Sequence, residues 1–361
     1  MQWLFLILII PYIYLLIRIY RNLKTIIPYV TAGSPQIFVT IIAACHNEIK
    51  NLPALLKKIS EQDYSKDLFE VIIIDDNSSD ETYSAALDFK GIRNLKVLKS
   101  PGRGKKQAIR AGIDASSGNF IISTDADCRP GKSWIRTIAS YFEIKSPQMI
   151  ICPVRLENKP GFLNRFQQLE FLGLQGITAG TAAMRNPVMC NGANLAFKKE
   201  IYLKHSDNLH PELASGDDVF LLHNIKKDTG NGVEWLESVD ALVTTELCET
   251  TVMFIRQRAR WISKAGSYND RFTQLLAIVT YIASLVQLSL LIASLFNPSM
   301  LFVFATFFLL KSIPDFLILK NVTSRYGESS LLKWFLQSQL IYPFYVIIVS
   351  LSISSPFRRG T

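Results

Sequence analysis

The sequence predicts an α/β fold, a mostly parallel sheet with helices on both faces, joined to transmembrane helices at its amino-terminal and carboxyl-terminal ends. Three observations predict it. Short apolar runs rich in β-branched residues alternate with segments of helical periodicity from Ile37 onward. Polar or acidic clusters stand just past those runs, where open α/β sheets bind ligands. Apolar stretches close to the ~20 residues that cross a bilayer open the chain and fill its last third.

Met1 to Ile17 is almost wholly apolar and is followed by Arg18, Arg21 and Lys24, the order expected of a membrane anchor whose carboxyl end is cytoplasmic. A cleaved signal peptide would carry its positive charge first and end in small residues, and this stretch does neither. Ile37 to Ala44 then reads as a strand. After Cys45-His46-Asn47-Glu48, Asn51 and Pro53 start a helix whose Leu52, Leu55, Leu56 and Ile59 recur at helical spacing. Val71 to Ile74 is the second strand and stops at Asp75-Asp76-Asn77-Ser78, a cluster able to accept hydrogen bonds from a base or ribose. Leu95 to Leu98 is the third. Gly102-Arg103-Gly104-Lys105 opens the next helix, but Lys99 and Lys106 break the pattern of a nucleotide-triphosphatase phosphate loop. Lys105 is left with two readings, a point charge for a diphosphate or an ordinary solvated lysine.

Phe120 to Thr124 is a buried strand that runs into Asp125-Ala126-Asp127. Two carboxylates there suit Mg²⁺ or Mn²⁺, which take one or two carboxylates together with substrate phosphates; the plain alternative is a turn. Cys190-Asn191-Gly192-Ala193-Asn194 is a polar turn, and Ser215-Gly216-Asp217-Asp218 places an acidic pair at the start of an apolar helix, where helix capping competes with a catalytic reading. Between Val252 and Lys264, Gln257, Arg260, Trp261 and Lys264 fall on one helical face and Val252, Ile255, Ala259 and Ile262 on the other. One face can then look into a site while the other lies on membrane or protein; the plain alternative is a basic amphipathic helix with Arg256, Arg258 and Lys264 on lipid headgroups. Leu275 to Phe296, Met300 to Leu319 and Trp334 to Ile353 are three further apolar runs. The second holds Lys311 and Asp315, so either a polar pair is buried among helices or that segment only partly enters the bilayer. Four crossings would place Arg358 and Arg359 outside, against the positive-inside bias, so one late segment is a candidate not to cross.

The expected division is therefore 1–24 as anchor, 35–247 as a cytoplasmic α/β domain, 248–271 as an amphipathic interface helix and 272–361 as about three transmembrane helices. The net charge of +9 suits anionic lipid or a nucleotide ligand. Its Lys and Arg are dispersed with no aromatic-basic reader motif, which argues against nucleic acid. Five cysteines without metal spacing fit a reduced cytosolic domain.

Taken in order, Ala44 to Glu48, Asp75 to Ser78, Gly104-Lys105, Asp125-Ala126-Asp127, Asn191 to Asn194, Gly216-Asp217-Asp218 and Gln257-Arg258-Ala259-Arg260-Trp261 resemble the inverting glycosyltransferase family 2. The resemblance is to its membrane-embedded branch, similar to cellulose, chitin and hyaluronan synthases and ceramide glucosyltransferase. It implies a GT-A fold and a nucleotide-sugar donor, UDP-linked in most of that branch, with Mg²⁺ or Mn²⁺. It also implies a hexose or N-acetylhexosamine passed to a membrane lipid or lipid-linked glycan, in a multi-pass protein of the inner (cytoplasmic) cell membrane. It assigns Asn47, Glu48, Asp75, Asp76, Lys105, Asp125, Gln257, Arg260 and Trp261 to binding. Within that set Asp75 or Asp76 and Asp125 meet the nucleoside, Gln257 and Arg260 the diphosphate, and Trp261 floors the acceptor pocket. Asp127, with Asp125, would hold the metal, and Asp218 would be the general base. Where the family usually has Thr-Glu-Asp or Gly-Glu-Asp this chain has Gly216-Asp217-Asp218, so Asp217 remains a second base candidate. Four candidate spans are fewer than polymer-channel synthases use. A processive polysaccharide synthase, a catalytically silent membrane scaffold and a nucleotidyltransferase are the competing functions.

Overall fold

The computed structural model describes residues 2–210, 216–230 and 232–353; Ser215, Arg358 and Arg359 lie outside them. Along the chain, α1 (Ile10–Thr25) precedes β1 (Val39–Cys45), α2 (Leu52–Ser60), β2 (Phe69–Asp75), α3 (Thr82–Asp88) and β3 (Leu95–Lys99). Next come α4 (Lys105–Asp114), β4 (Phe120–Thr124), β5 (Arg129–Pro130), α5 (Trp134–Lys145), β6 (Met149–Ile151), β7 (Val154–Leu156) and α6 (Phe162–Ala183). Then follow β8 (Asn194–Lys198), α7 (Lys199–His205), α8 (Asp217–Thr229), β9 (Val233–Trp235), β10 (Val243–Thr245), α9 (Thr251–Ile262), α10 (Arg271–Phe296), α11 (Ser299–Arg325) and α12 (Phe335–Ser352). These elements form two units: Ile26–Glu157 with Arg185–Glu246, and Met1–Thr25 with Asn158–Met184 and Leu247–Thr361.

The first unit is the α/β fold. Its seven-stranded sheet has the order β3-β2-β1-β4-β8-β6-β9, and a small sheet joins β5, β10 and β7. The four strands from β3 to β4 are parallel, as strand-helix alternation requires, and β8 runs antiparallel to β4 and β6. β2 and β4 are buried throughout, which explains their unbroken apolar runs. β3, one of the two edge strands, carries Lys96 and Lys99 among its apolar residues, charges that discourage further strand pairing. Register sets Cys45 beside Asp75 and Ile42 beside Ser123, so the carboxyl ends of β1, β2 and β4 stand level. The acidic clusters are carried on those ends.

The second unit holds α1, α6 and α9 to α12. Among the described residues, four helical stretches are long and apolar enough to cross a membrane: Phe5–Thr25, Arg271–Phe296, Ser299–Arg325 and Ser329–Ser352. α6 groups with them, although the sequence places it inside 35–247. The reason lies in Gly176 and Gly180. A Cβ on Gly176 would meet Ile318 Cγ2 at 2.5 Å, and one on Gly180 would meet Ile19 Cγ2 at 2.6 Å, so only glycines let α6 lie this close to α11 and α1. Lys311 is fully buried, with Nζ 2.9 Å from Asp315 Oδ2 and 3.3 Å from Gln339 Oε1, and the Tyr12 hydroxyl donates to Asp315 at 2.6 Å. Of the two readings of this pair, burial among helices is the one observed.

Candidate active site

The loops that follow β1 and β2 brace one another. Asn47, with φ +57, accepts the Ser79 N–H at 2.8 Å on its side-chain oxygen, and its own N–H donates to Ser78 Oγ at 2.9 Å. Glu48 uses its backbone carbonyl to receive the first N–H groups of α2, and its carboxylate accepts the Asn51 amide at 3.1 Å. The adjacent Asp75 and Asp76 differ in what they have left to offer. Both Asp76 oxygens accept the Gly104 N–H at 2.9 Å, so this carboxylate holds the loop ahead of α4. Gly104 has φ +104, a conformation open to glycine and strained for other residues. Asp75 is buried; one oxygen accepts the Ser78 N–H at 3.3 Å and Oδ1 has no hydrogen-bond partner among the described residues. An unpaired buried acceptor is costly unless a ligand donor completes it.

Lys105 opens α4 and forms an ion pair with Asp125 at the end of β4. Burial alone would lower its pKa, but Asp125, Asp217 and Asp218 outweigh that and raise it, so the ammonium stays charged. Asp127 accepts the Thr245 hydroxyl at 2.8 Å, which anchors it to β10. Burial first, then the Asp125 charge, raises the Asp127 carboxyl above its usual value. Glu48 is raised by burial and by Asp127, Asp125 and Glu246. Among the described residues no three His, Cys, Asp or Glu side chains are arranged to hold a metal unaided. Mg²⁺ and Mn²⁺ need no such cage when substrate phosphates complete the shell, so Asp125 and Asp127 fit that role.

α8 begins at Asp217, with Gly216 as its cap residue and no side-chain capping bond from it. Asp218 accepts the Val219 N–H at 2.9 Å through Oδ1, so the capping reading is met in part, and through Oδ2 it accepts the Gly192 N–H at 2.9 Å. Asp217 is buried, and burial followed by the Asp218 charge raises its pKa. A pocket is lined by Lys105, Ser123, Gly192, Tyr202, Asp217 and Asp218 together with apolar side chains. One ammonium thus pairs with the carboxylate after β4 and faces the acidic pair of α8.

Sequence reading missed several supports. Asn194 is fully buried, donates to the Pro153 and Ala241 carbonyls at 2.7 and 2.8 Å, and accepts the Trp134 indole N–H at 2.9 Å. Its place in a polar turn gives no hint of that cross-link. Thr245 and Tyr202 carry no local motif either.

In the second unit, α9 carries Gln257, Arg260 and Trp261. Its outward face includes Val252, Arg260 and Ile262, while Phe254 and Arg258 are buried. Arg258, which the plain alternative puts on lipid headgroups, is 3% exposed and forms a fork with Glu170 of α6 at 2.6 and 3.0 Å. Lys264 is also buried, off the open face on which helical spacing places it. Ile255 and Ala259, expected opposite Trp261, pack on a core of Phe166, Phe254, Tyr345 and Val349.

Residues 40–205 match the family described as Glycosyl transferase family 2. The chain is 33% identical over 100 residues to the glycosyltransferase AglE of Haloferax volcanii, covering 27% of this chain and 33% of that protein. It is 27% identical over 169 residues to a poly-beta-1,6-N-acetyl-D-glucosamine synthase of Staphylococcus epidermidis, covering 45% of this chain and 39% of that one. The chain therefore spans well under half the length of these curated relatives. Among solved structures, the mannosyltransferase PcManGT of Pyrobaculum calidifontis, in complex with GDP-Man and Mn²⁺, superposes with a TM-score of 0.60 at 20% identity, covering 95% of this chain and 94% of that one. That likeness concerns the fold.

Proposed function

We propose, from the premise that this chain is a glycosyl transferase family 2 member through residues 40–205, that it moves a hexose or N-acetylhexosamine from a nucleotide sugar to a membrane lipid or lipid-linked glycan. The observation that carries this reading is Lys105, paired with Asp125 and lining the pocket of Asp217 and Asp218. Leaving-group stabilisation by Lys105 and proton removal at the start of α8 are thereby served around one pocket.

Asp75 accepts a hydrogen bond from the nucleoside base through its open Oδ1, and Asp76 keeps the Gly104 loop in place for the diphosphate. Lys105 offsets the negative charge that the diphosphate gains on leaving. Asp125 and Asp127 would hold Mg²⁺ or Mn²⁺, which when bound supplies further positive charge to the same oxygens. Asp218, steadied by the Gly192 N–H, takes the proton of the acceptor hydroxyl as its oxygen bonds to the anomeric carbon. The bond from that carbon to the diphosphate oxygen breaks, nucleoside diphosphate departs, and direct attack inverts the centre. Gln257 and Arg260 contact the diphosphate and Trp261 floors the acceptor pocket, roles carried over from the family motif. The four apolar helices favour a membrane-borne acceptor, and Arg18, Arg21 and Lys24 after the first span favour a cytoplasmic α/β unit.

The test is to reconstitute the full chain in nanodiscs of native lipid and supply isotope-labelled UDP-N-acetylglucosamine, UDP-glucose and GDP-mannose. Labelled sugar on a lipid or lipid-linked glycan, seen by mass spectrometry, supports the reading. Nucleotide sugars left intact, with no labelled lipid, would favour a silent scaffold.

A further inference from the structure

The motif helix α9 is held from beneath by a residue to which the proposed reaction gives no role. Arg258 is almost fully buried, and its Nε and Nη2 donate to the two Glu170 carboxylate oxygens at 3.0 and 2.6 Å. Tyr345 of α12 donates its hydroxyl to the same carboxylate at 2.8 Å. The guanidinium carbon lies 4.2 Å from the Trp261 ring centroid and 4.6 Å from that of Phe254. Nη1 donates to Gln257 Oε1. A second tie runs beside this one: Gln167 of α6 exchanges two hydrogen bonds with the Cys248 backbone, at 2.9 and 3.0 Å.

A guanidinium has donors only. The Gln257 amide must therefore turn its oxygen towards Arg258, which leaves its two N–H groups to an acceptor such as a diphosphate oxygen. The same planar cation stacks on Trp261 and sets the tilt of that ring. Removing either partner of the ion pair would leave the other buried charge unmatched, and the bonds that Glu170 makes with Arg258 and Tyr345 hold the guanidinium in one pose. We propose that Arg258, clamped by Glu170 and Tyr345, is a positioning residue that fixes which end of the Gln257 amide and which face of the Trp261 ring meet substrate. The proposal rests on the reading of Gln257 as a diphosphate contact and Trp261 as the acceptor floor.

A double-mutant cycle on the full chain in nanodiscs tests it, with hydrolysis and transfer kinetics measured on UDP-N-acetylglucosamine and GDP-mannose. Glu170→Gln keeps size but removes the charge and one of the two acceptor oxygens that hold Arg258. It should lower kcat/KM for the donor by up to about 100-fold, the scale of a small misplacement of a binding group. Placed on Gln257→Ala, the same change should cost little more, because its effect passes through that amide. Glu170→Asp, which retains the charge, should show a smaller loss that also disappears on the Gln257→Ala background. Undiminished losses on that background, or full activity of Glu170→Gln, would overturn the positioning role. Full activity of Gln257→Ala alone would remove the diphosphate reading beneath it, an outcome separable from the other two.

Discussion

Asp218 Oδ2 accepts the backbone N–H of Gly192 at 2.9 Å, tying together two motifs 26 residues apart. The bond orients the carboxylate while its partner, Asp217, is the buried member with the raised pKa. Asp218→Asn should therefore keep nucleotide-sugar binding and lose turnover by ~10²-fold or more, as expected when a general base is removed. Asp217→Asn should cost less. Steady-state kinetics beside calorimetric binding of the donor separate the two, and the reverse ranking would transfer the role to Asp217.

Asp127 is fixed by Thr245 and crowded by Asp125, and the proposed function gives it a divalent ion to hold. Asp127→Ala should abolish Mn²⁺- or Mg²⁺-stimulated turnover while the protein remains monodisperse. Titrating metal against rate checks this; an unchanged metal response would remove Asp127 from the donor set.

The contrast between neighbouring carboxylates makes a third expectation. Asp75→Ala deletes the open acceptor and should weaken binding of free UDP or GDP about tenfold, near the worth of one hydrogen bond to a charged group. Asp76→Ala should instead loosen the Gly104 loop and show its main effect as faster amide exchange there. Equal losses of affinity without a change in exchange would contradict the distinction.

Within the apolar helices, Lys311 and Asp315 form a buried pair also bonded by Tyr12 and Gln339. Lys311→Met alone leaves a buried carboxylate unmatched and should cost about 3–5 kcal/mol, whereas Lys311→Met with Asp315→Leu should recover most of it. Thermal unfolding in detergent measures both. A double variant no more stable than the single one would mean that Tyr12 and Gln339, and not the charge pair, set the stability there.

The strand ends were legible because a buried parallel strand needs an unbroken apolar run, and each run in the first half stops at polar or acidic residues. The apolar helices were legible for the same reason at greater length. α6 was not. Its sequence mixes Gln167, Glu170 and Gln175 with glycines, and only the close approach of Gly176 and Gly180 to neighbouring helices reveals its place. The burial of Arg258 was not legible for a related cause: helical spacing gives a face but not the Glu170 that waits 88 residues earlier to take the charge. Choosing between Asp75 and Asp76 likewise needed the Gly104 N–H, which no motif encodes.

The proposed transfer is defined by the stoichiometry and stereochemistry of one turnover. Nuclear magnetic resonance on the wild type and on Asp218→Asn, supplied with an α-linked nucleotide sugar and membrane acceptor, reads both at once. The predicted result is one nucleoside diphosphate released per sugar transferred, a β-linked product, and near-silence in Asp218→Asn. Pyrophosphate release, retained configuration or an undiminished Asp218→Asn rate would contradict it.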